Sequence, residues 1–131
     1  MTLNDELISK NIKGKLLWKN TTATSNWGEW EIPFWSSDYD FYEVIYLNKA
    51  DEDLYYSTGK IPKGHAFRMF DVYVSSYSKI GAISRAVTYK DDTTLKTGSA
   101  LYYTASNGAV STDNTRLIPM YVIGYKTETL K

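Results

Sequence analysis

The sequence predicts an all-β fold: an antiparallel β-sandwich, jelly-roll-like, of about eight strands behind a short helical lead-in. Three observations predict it. Aromatics make up 15% of the 131 residues, 12 of them Tyr, and with Thr, Val and Ile they suit a pleated, half-buried surface. The Ala-, Leu- and Glu-rich composition of a helical protein is missing. Short strand-like runs are separated by turn signals at roughly 8–15-residue spacing, which fits a sandwich or barrel and not βαβ units.

The N-terminus alone reads as helix. Asn4 caps a turn over Asp5 to Asn11, and Asp5 and Glu6 stand in the first turn, where the helix dipole favours acids. Gly14 ends it, so residues 1–14 form a lead-in or connector and residues 15–131 the β-sandwich binding domain. Lys15 to Lys19 is the first strand, and Thr21 to Asn26 a polar loop.

Gly28 to Trp35 alternates cleanly. Trp30, Ile32 and Phe34 take the core face and Glu29, Glu31 and Pro33 the other. Pro33 cannot donate to a ladder and marks an edge or a strand end. Ser36 to Asp40 is a turn. Phe41 to Asn48 is apolar on both faces, as in a strand covered on both sides. Asp51 to Asp53 is a charged turn, and Leu54 to Ser57 a short strand ended by Gly59.

His65 to Val74 follows, with Phe70, Val72 and Val74 assigned to the core. Ile80 to Lys90 has Ile83, Val87 and Tyr89 in phase and turns at Asp91-Asp92. Thr93 to Thr104 has Leu95, Leu101 and Tyr103 in phase, with Gly98 as a bulge. Ser106-Asn107-Gly108 is a turn signal, and Arg116 to Lys126 is a long apolar closing strand.

Composition narrows the function. There are no cysteines, so thiol nucleophiles and Cys-based metal sites are excluded. Lys+Arg and Asp+Glu are 15 each, and this balance lacks the basic surplus of a nucleic-acid binder. No apolar run approaches the roughly 18 residues of a membrane span. The acids at positions 5 and 6 do not fit a signal peptide. His65 is the lone histidine and reads as a surface or capping residue. No Gly-x-Ser-x-Gly elbow marks a nucleophile. Asp38-x-Asp40 and Asp51-Glu52-Asp53 lack EF-hand spacing and read as solvated acidic turns. The expectation is a protein with no catalytic residues, no metal and no cofactor.

The informative feature is aromatic crowding beside polar side chains. Trp27, Trp30, Trp35, Tyr39 and Tyr42 lie within 16 positions, with Asn26, Asp38 and Asp40 among them. By alternation Trp30 faces the core, whereas Trp27 and Trp35 flank loops. A free ring stacks on the apolar face of a sugar while a neighbouring carboxylate or amide bonds its hydroxyls. The candidate ligand-binding residues are therefore Trp27, Trp35, Tyr39, Asp38 and Asp40. The same rings equally suit packing under loops or at a subunit contact. Tyr55-Tyr56 with Tyr102-Tyr103 forms a second polar-aromatic zone open to both readings.

Three segments, in this order, carry a resemblance. They are Gly14-Lys15-Leu16-Leu17-Trp18 before a polar loop, Tyr42-Glu43-Val44-Ile45-Tyr46-Leu47, and Arg116-Leu117-Ile118-Pro119-Met120-Tyr121-Val122-Ile123-Gly124-Tyr125-Lys126. Together they resemble small β domains of bacteriophage tail-fibre, baseplate and receptor-binding proteins. The resemblance implies a β-sandwich, a homotrimer, a place on a virion appendage that is made in the host cytoplasm and acts outside the cell, and partners among other virion proteins or host-surface glycans. No binding motif of that group maps onto individual residues here. The expected function is non-catalytic recognition of a host-surface saccharide. The alternatives are a purely structural baseplate or head-decoration protein and a carbohydrate-binding module of a cell-surface enzyme.

Overall fold

A computed structural model describes residues 14–48, 54–76 and 79–127. The expected helical turn at residues 5–11 lies outside them. The described residues are all β, with no helix and with antiparallel pairing throughout.

Among the described residues, eleven strands form two sheets. The first sheet runs β1 (Gly14–Lys19), β11 (Ile118–Tyr125), β3 (Phe41–Asn48) and β4 (Leu54–Ser57), and the short β5 (Ile61–Pro62) also pairs with β3. The second is built on β7 (Lys79–Asp91). β6 (Phe67–Ser76) lies along one edge of β7. Its other edge pairs with β9 (Leu101–Thr104) and β8 (Thr94–Thr97), which are flanked in turn by β10 (Ala109–Thr112) and β2 (Glu31–Pro33).

One core serves both sheets. Tyr42 of β3 touches Phe34, Phe67 and Tyr89 at centroid distances of 5.8, 5.9 and 6.0 Å, so rings from two sheets meet at one point. Val44, Ile118 and Val122 from the first sheet and Ile32, Met69, Ile83, Val87 and Leu95 from the second are fully buried. Each such side chain removed from water contributes about 1.5–3 kcal/mol.

Several expected elements hold. β3 and β4 match the sequence reading, and Pro33 is the last residue of an edge strand. The Ser106–Gly108 turn joins β9 to β10, with Gly108 at φ 65° and the Asn107 side chain accepting from the Ala109 N–H. Others differ. Regular pairing in the Gly28–Trp35 run is confined to Glu31–Pro33, although Phe34 and Ser36 still donate to the carbonyls of Thr93 and Asp92. The expected strand over Thr93–Thr104 divides at Gly98–Ala100 into β8 and β9, which moves Leu101 and Tyr103 to the outer face.

The phase of β6 is opposite to the expected one. Met69 is buried, while Phe70 and Val72 stand in solvent. The run carries large apolar groups on both sides, so periodicity alone does not choose. Asp71 does: it turns inward with Met69 and accepts from Asn48 Nδ2 at 2.8 Å and from the Tyr56 hydroxyl at 3.3 Å. A buried amide needs such a partner.

Arg85 is the other unexpected core member, wholly buried in β7. Its guanidinium donates to four backbone carbonyls: Leu117 at 3.0 Å, Gly28 at 3.3 Å, Gly98 at 2.8 Å and Arg116 at 2.9 Å. Burial lowers its pKa to about 10, so it stays charged at neutral pH. Planar donors spread over a fork suit this clamp, which fastens three loops to the central strand. One of them contains Leu117, fully buried at φ 51°, a backbone conformation that such a residue adopts only when its surroundings impose it.

Candidate functional site

A groove of about 370 Å³ opens at the seam between β1, the edge strand of the first sheet, and β2, an edge strand of the second. Trp18 and Trp30 wall it, Trp27 lies behind them, and Thr21, Lys19 and Glu31 supply polar groups.

The three indoles form a chain. Trp18 and Trp27 meet edge to face at 5.6 Å, and Trp27 and Trp30 at 5.0 Å. The middle ring is the fixed one. Trp27 is 4% exposed, and its Nε1 donates to Thr97 Oγ1 at 2.7 Å. Trp30 is 46% exposed and rests on it. Edge-to-face pairs add about 0.5–1.5 kcal/mol beyond area burial, so the open ring is held before any ligand arrives.

The polar wall is built as firmly. Asn20, itself buried, donates to the carbonyls of Ala23 and Pro119 at 3.0 and 2.9 Å. Its Oδ1 accepts from the N–H groups of Thr22 and Ala23 at 3.2 and 3.0 Å, which shapes the loop carrying Thr21. Across the groove, Glu31 accepts from Lys90 at 2.6 Å, and this contact raises the pKa of Lys90.

The residues singled out in the sequence fall in different places. Trp27, expected to flank a loop in the open, is buried, because its indole N–H needs the Thr97 hydroxyl that the core provides. It lies at the back of the groove with only 4% of its surface exposed. Trp30, expected in the core, is half open. Trp35 is 55% exposed, as its position opposite Phe34 requires, and it shares the outward side of the chain with Glu31 and Pro33.

Tyr39 and Asp40 are tied to the end of β11. The Tyr39 ring packs so closely on Gly124 that a Cβ there would stand 2.8 Å from it. The Asp40 carboxylate accepts from the Thr127 N–H at 2.7 Å, which holds it below the usual aspartate value. Asp38 is exposed on the turn between Trp35 and Tyr39. The five residues therefore do not make one cluster. Ser36 secures the turn from below, sharing hydrogen bonds with the Tyr89 hydroxyl at 2.5 Å and the Asp92 carbonyl at 3.1 Å.

The second aromatic zone also separates. Tyr56 stacks on Tyr46 at 5.6 Å in the first sheet, while Tyr102 lies under the Arg116 guanidinium in the second. His65 is exposed, and its carbonyl accepts from the Tyr42 hydroxyl. No group of three or more His, Asp or Glu side chains suited to a metal ion occurs among the described residues.

Sequence reasoning missed Trp18, whose contribution depends on how the two sheet edges meet. It also missed Arg85, for which a signal existed: Ile83, Arg85 and Val87 share one face of a strand. Comparison with protein-family models, with characterised proteins and with solved structures gives no match.

Proposed function

We propose that this chain is a non-catalytic saccharide-binding module of a virion appendage, its two sheets forming a jelly-roll-like sandwich. The observation that carries the binding reading is the Trp30 indole, half open above a buried Trp27 and beside Thr21, Lys19 and Glu31. A rigid ring takes the C–H face of a pyranose, and hydroxyl, ammonium and carboxylate groups at its border take the sugar hydroxyls. Trp35, with Asp38 three residues on, supplies a second, looser platform. A shallow groove gives weak single-site affinity, and several copies per particle raise it through avidity. The virion setting rests on the three segments that resemble phage appendage domains. The ring contacts between the sheets support the sandwich.

The test is a screen of host cell-wall and surface saccharides with the parent chain, Trp30→Ala and Trp35→Ala. The parent binds at least one saccharide, and Trp30→Ala weakens that binding about tenfold or more, equivalent to about 1.4 kcal/mol. Binding that survives both substitutions removes the proposal. A purely structural virion role is the second reading, favoured by the apolar outer face of the second sheet.

A further inference from the structure

The outer face of the second sheet carries a second hollow, independent of the saccharide groove. Register fixes its plan. Val72, Ala82, Tyr103 and Val110 form one row across β6, β7, β9 and β10. Phe70, Ser84, Leu101 and Thr112 form the next. The central strand contributes the small members, Ala82 and Ser84, and the flanking strands the large ones. The result is a trough of about 370 Å³ floored by β7 and walled by Phe70 on one side and Leu101 and Tyr103 on the other. Its rim projects: Phe70 is 62% exposed and Val110 63%.

We propose that this face packs against the same face of a second copy of the chain. The area fits. Phe70, Val72, Ile80, Leu101, Tyr103 and Val110 are all more than 40% exposed, and together they leave on the order of 500 Å² of apolar surface in water, near the upper end of what monomers carry. A standard interface takes roughly 800 Å² from each partner, about 65% apolar in homodimers, and this face offers that share.

The shape fits as well. Self-complementary contact needs a ridge and a hollow on one patch, and the Phe70–Val72 ridge stands beside the Ala82–Ser84 floor. Among the described residues, the patch holds one cation: Arg68 lines the trough and donates to Ser84 at 3.3 Å, while the paired Lys90 and Glu31 lie toward the far end of the sheet. The chain is neutral overall, so copies meet without net repulsion. β6 is also an edge strand, pairing only with β7 among the described residues. A ten-residue edge bearing exposed Phe and Val is the kind that proteins cover.

The experiment is sedimentation or light scattering of the full chain from low micromolar to submillimolar concentration, with Phe70→Glu and Val110→Lys beside it. The parent is expected at twice the single-chain mass of 15.0 kDa, since a face that packs on itself joins two copies. Both variants are expected at the single-chain mass, with unchanged far-UV circular dichroism. Should Phe70→Glu fail to fold, Val110→Lys carries the test from a fully outward position. A parent that stays a monomer throughout, whether or not it pellets with phosphatidylcholine vesicles, overturns the proposal. So do folded variants that keep the parent's mass. Saccharide binding per chain is read separately, so failure here leaves the groove untouched.

Discussion

The seam groove and the outer trough have equal volumes and opposite construction. In the groove, the open indole and the Thr21 loop have supports beneath them. Trp30 rests on Trp27, Trp27 bonds Thr97, and the Thr21 loop is shaped by buried Asn20. In the trough, the large side chains project from a regular sheet with small residues between them. A ring positioned from behind suits a small ligand that must be met in one orientation, because ordering is then complete before binding. A ridge beside a hollow suits a broad apolar partner that brings its own surface. The difference teaches that exposure of aromatics alone does not define a site; what holds them does.

Perturbing the two regions should therefore have unequal consequences. The largest effect is expected at Arg85. Arg85→Ala removes the guanidinium from four carbonyls, of which Gly28 also accepts from Thr97 Oγ1, and empties a buried volume. The loss is on the order of 3–5 kcal/mol, a large part of the stability of a domain this size. Denaturant melts should show it, with Arg85→Lys also destabilised because one ammonium cannot reach all four acceptors. A wild-type midpoint for Arg85→Ala would break the claim that the clamp holds the loop behind the groove.

Thr97→Val comes next. It removes the acceptor for the Trp27 indole N–H, and an unpartnered buried donor costs about 1–3 kcal/mol. Thermal melts should register that loss, and the Trp27 indole proton should exchange faster. In the trough, by contrast, Phe70→Glu should change the stability of the single chain, measured at concentrations where copies do not pair, by no more than about 0.5 kcal/mol.

The smallest effect is in acid. Asp92 has its pKa lowered first by the hydrogen bond from Tyr89, and Asp91 by the backbone N–H of Thr93. Carboxylates with depressed folded values contribute stability that is complete above the ordinary value of 3.8. It is lost as pH falls through those lower folded values. The parent should thus exceed Asp92→Asn in stability at neutral pH and converge with it in strong acid. Because Tyr89 also holds Ser36, acid should loosen the segment carrying Trp35. Parallel acid melts of parent and variant check this.

Much of the fold was legible in the sequence. The all-β class, β3, β4, the Asn107-Gly108 turn and the terminal Pro33 follow from local chemistry, which acts over a few residues. The phase of β6 did not, because it is decided by Asn48 and Tyr56, 23 and 15 positions away. The site was half legible. Crowded tryptophans marked the region, but which ring is buried depends on a hydroxyl 70 positions distant. Alternation therefore exchanged the roles of Trp27 and Trp30. Trp18 entered only because two sheet edges meet.

The four tryptophans give the most direct measurement. In an NMR titration with a saccharide retained in the screen, the indole N–H resonance of Trp30 is expected to shift strongly and that of Trp35 less. The resonance of Trp27, bonded to Thr97, is expected to stay in place. A bound saccharide that leaves the Trp30 resonance unmoved would contradict the account.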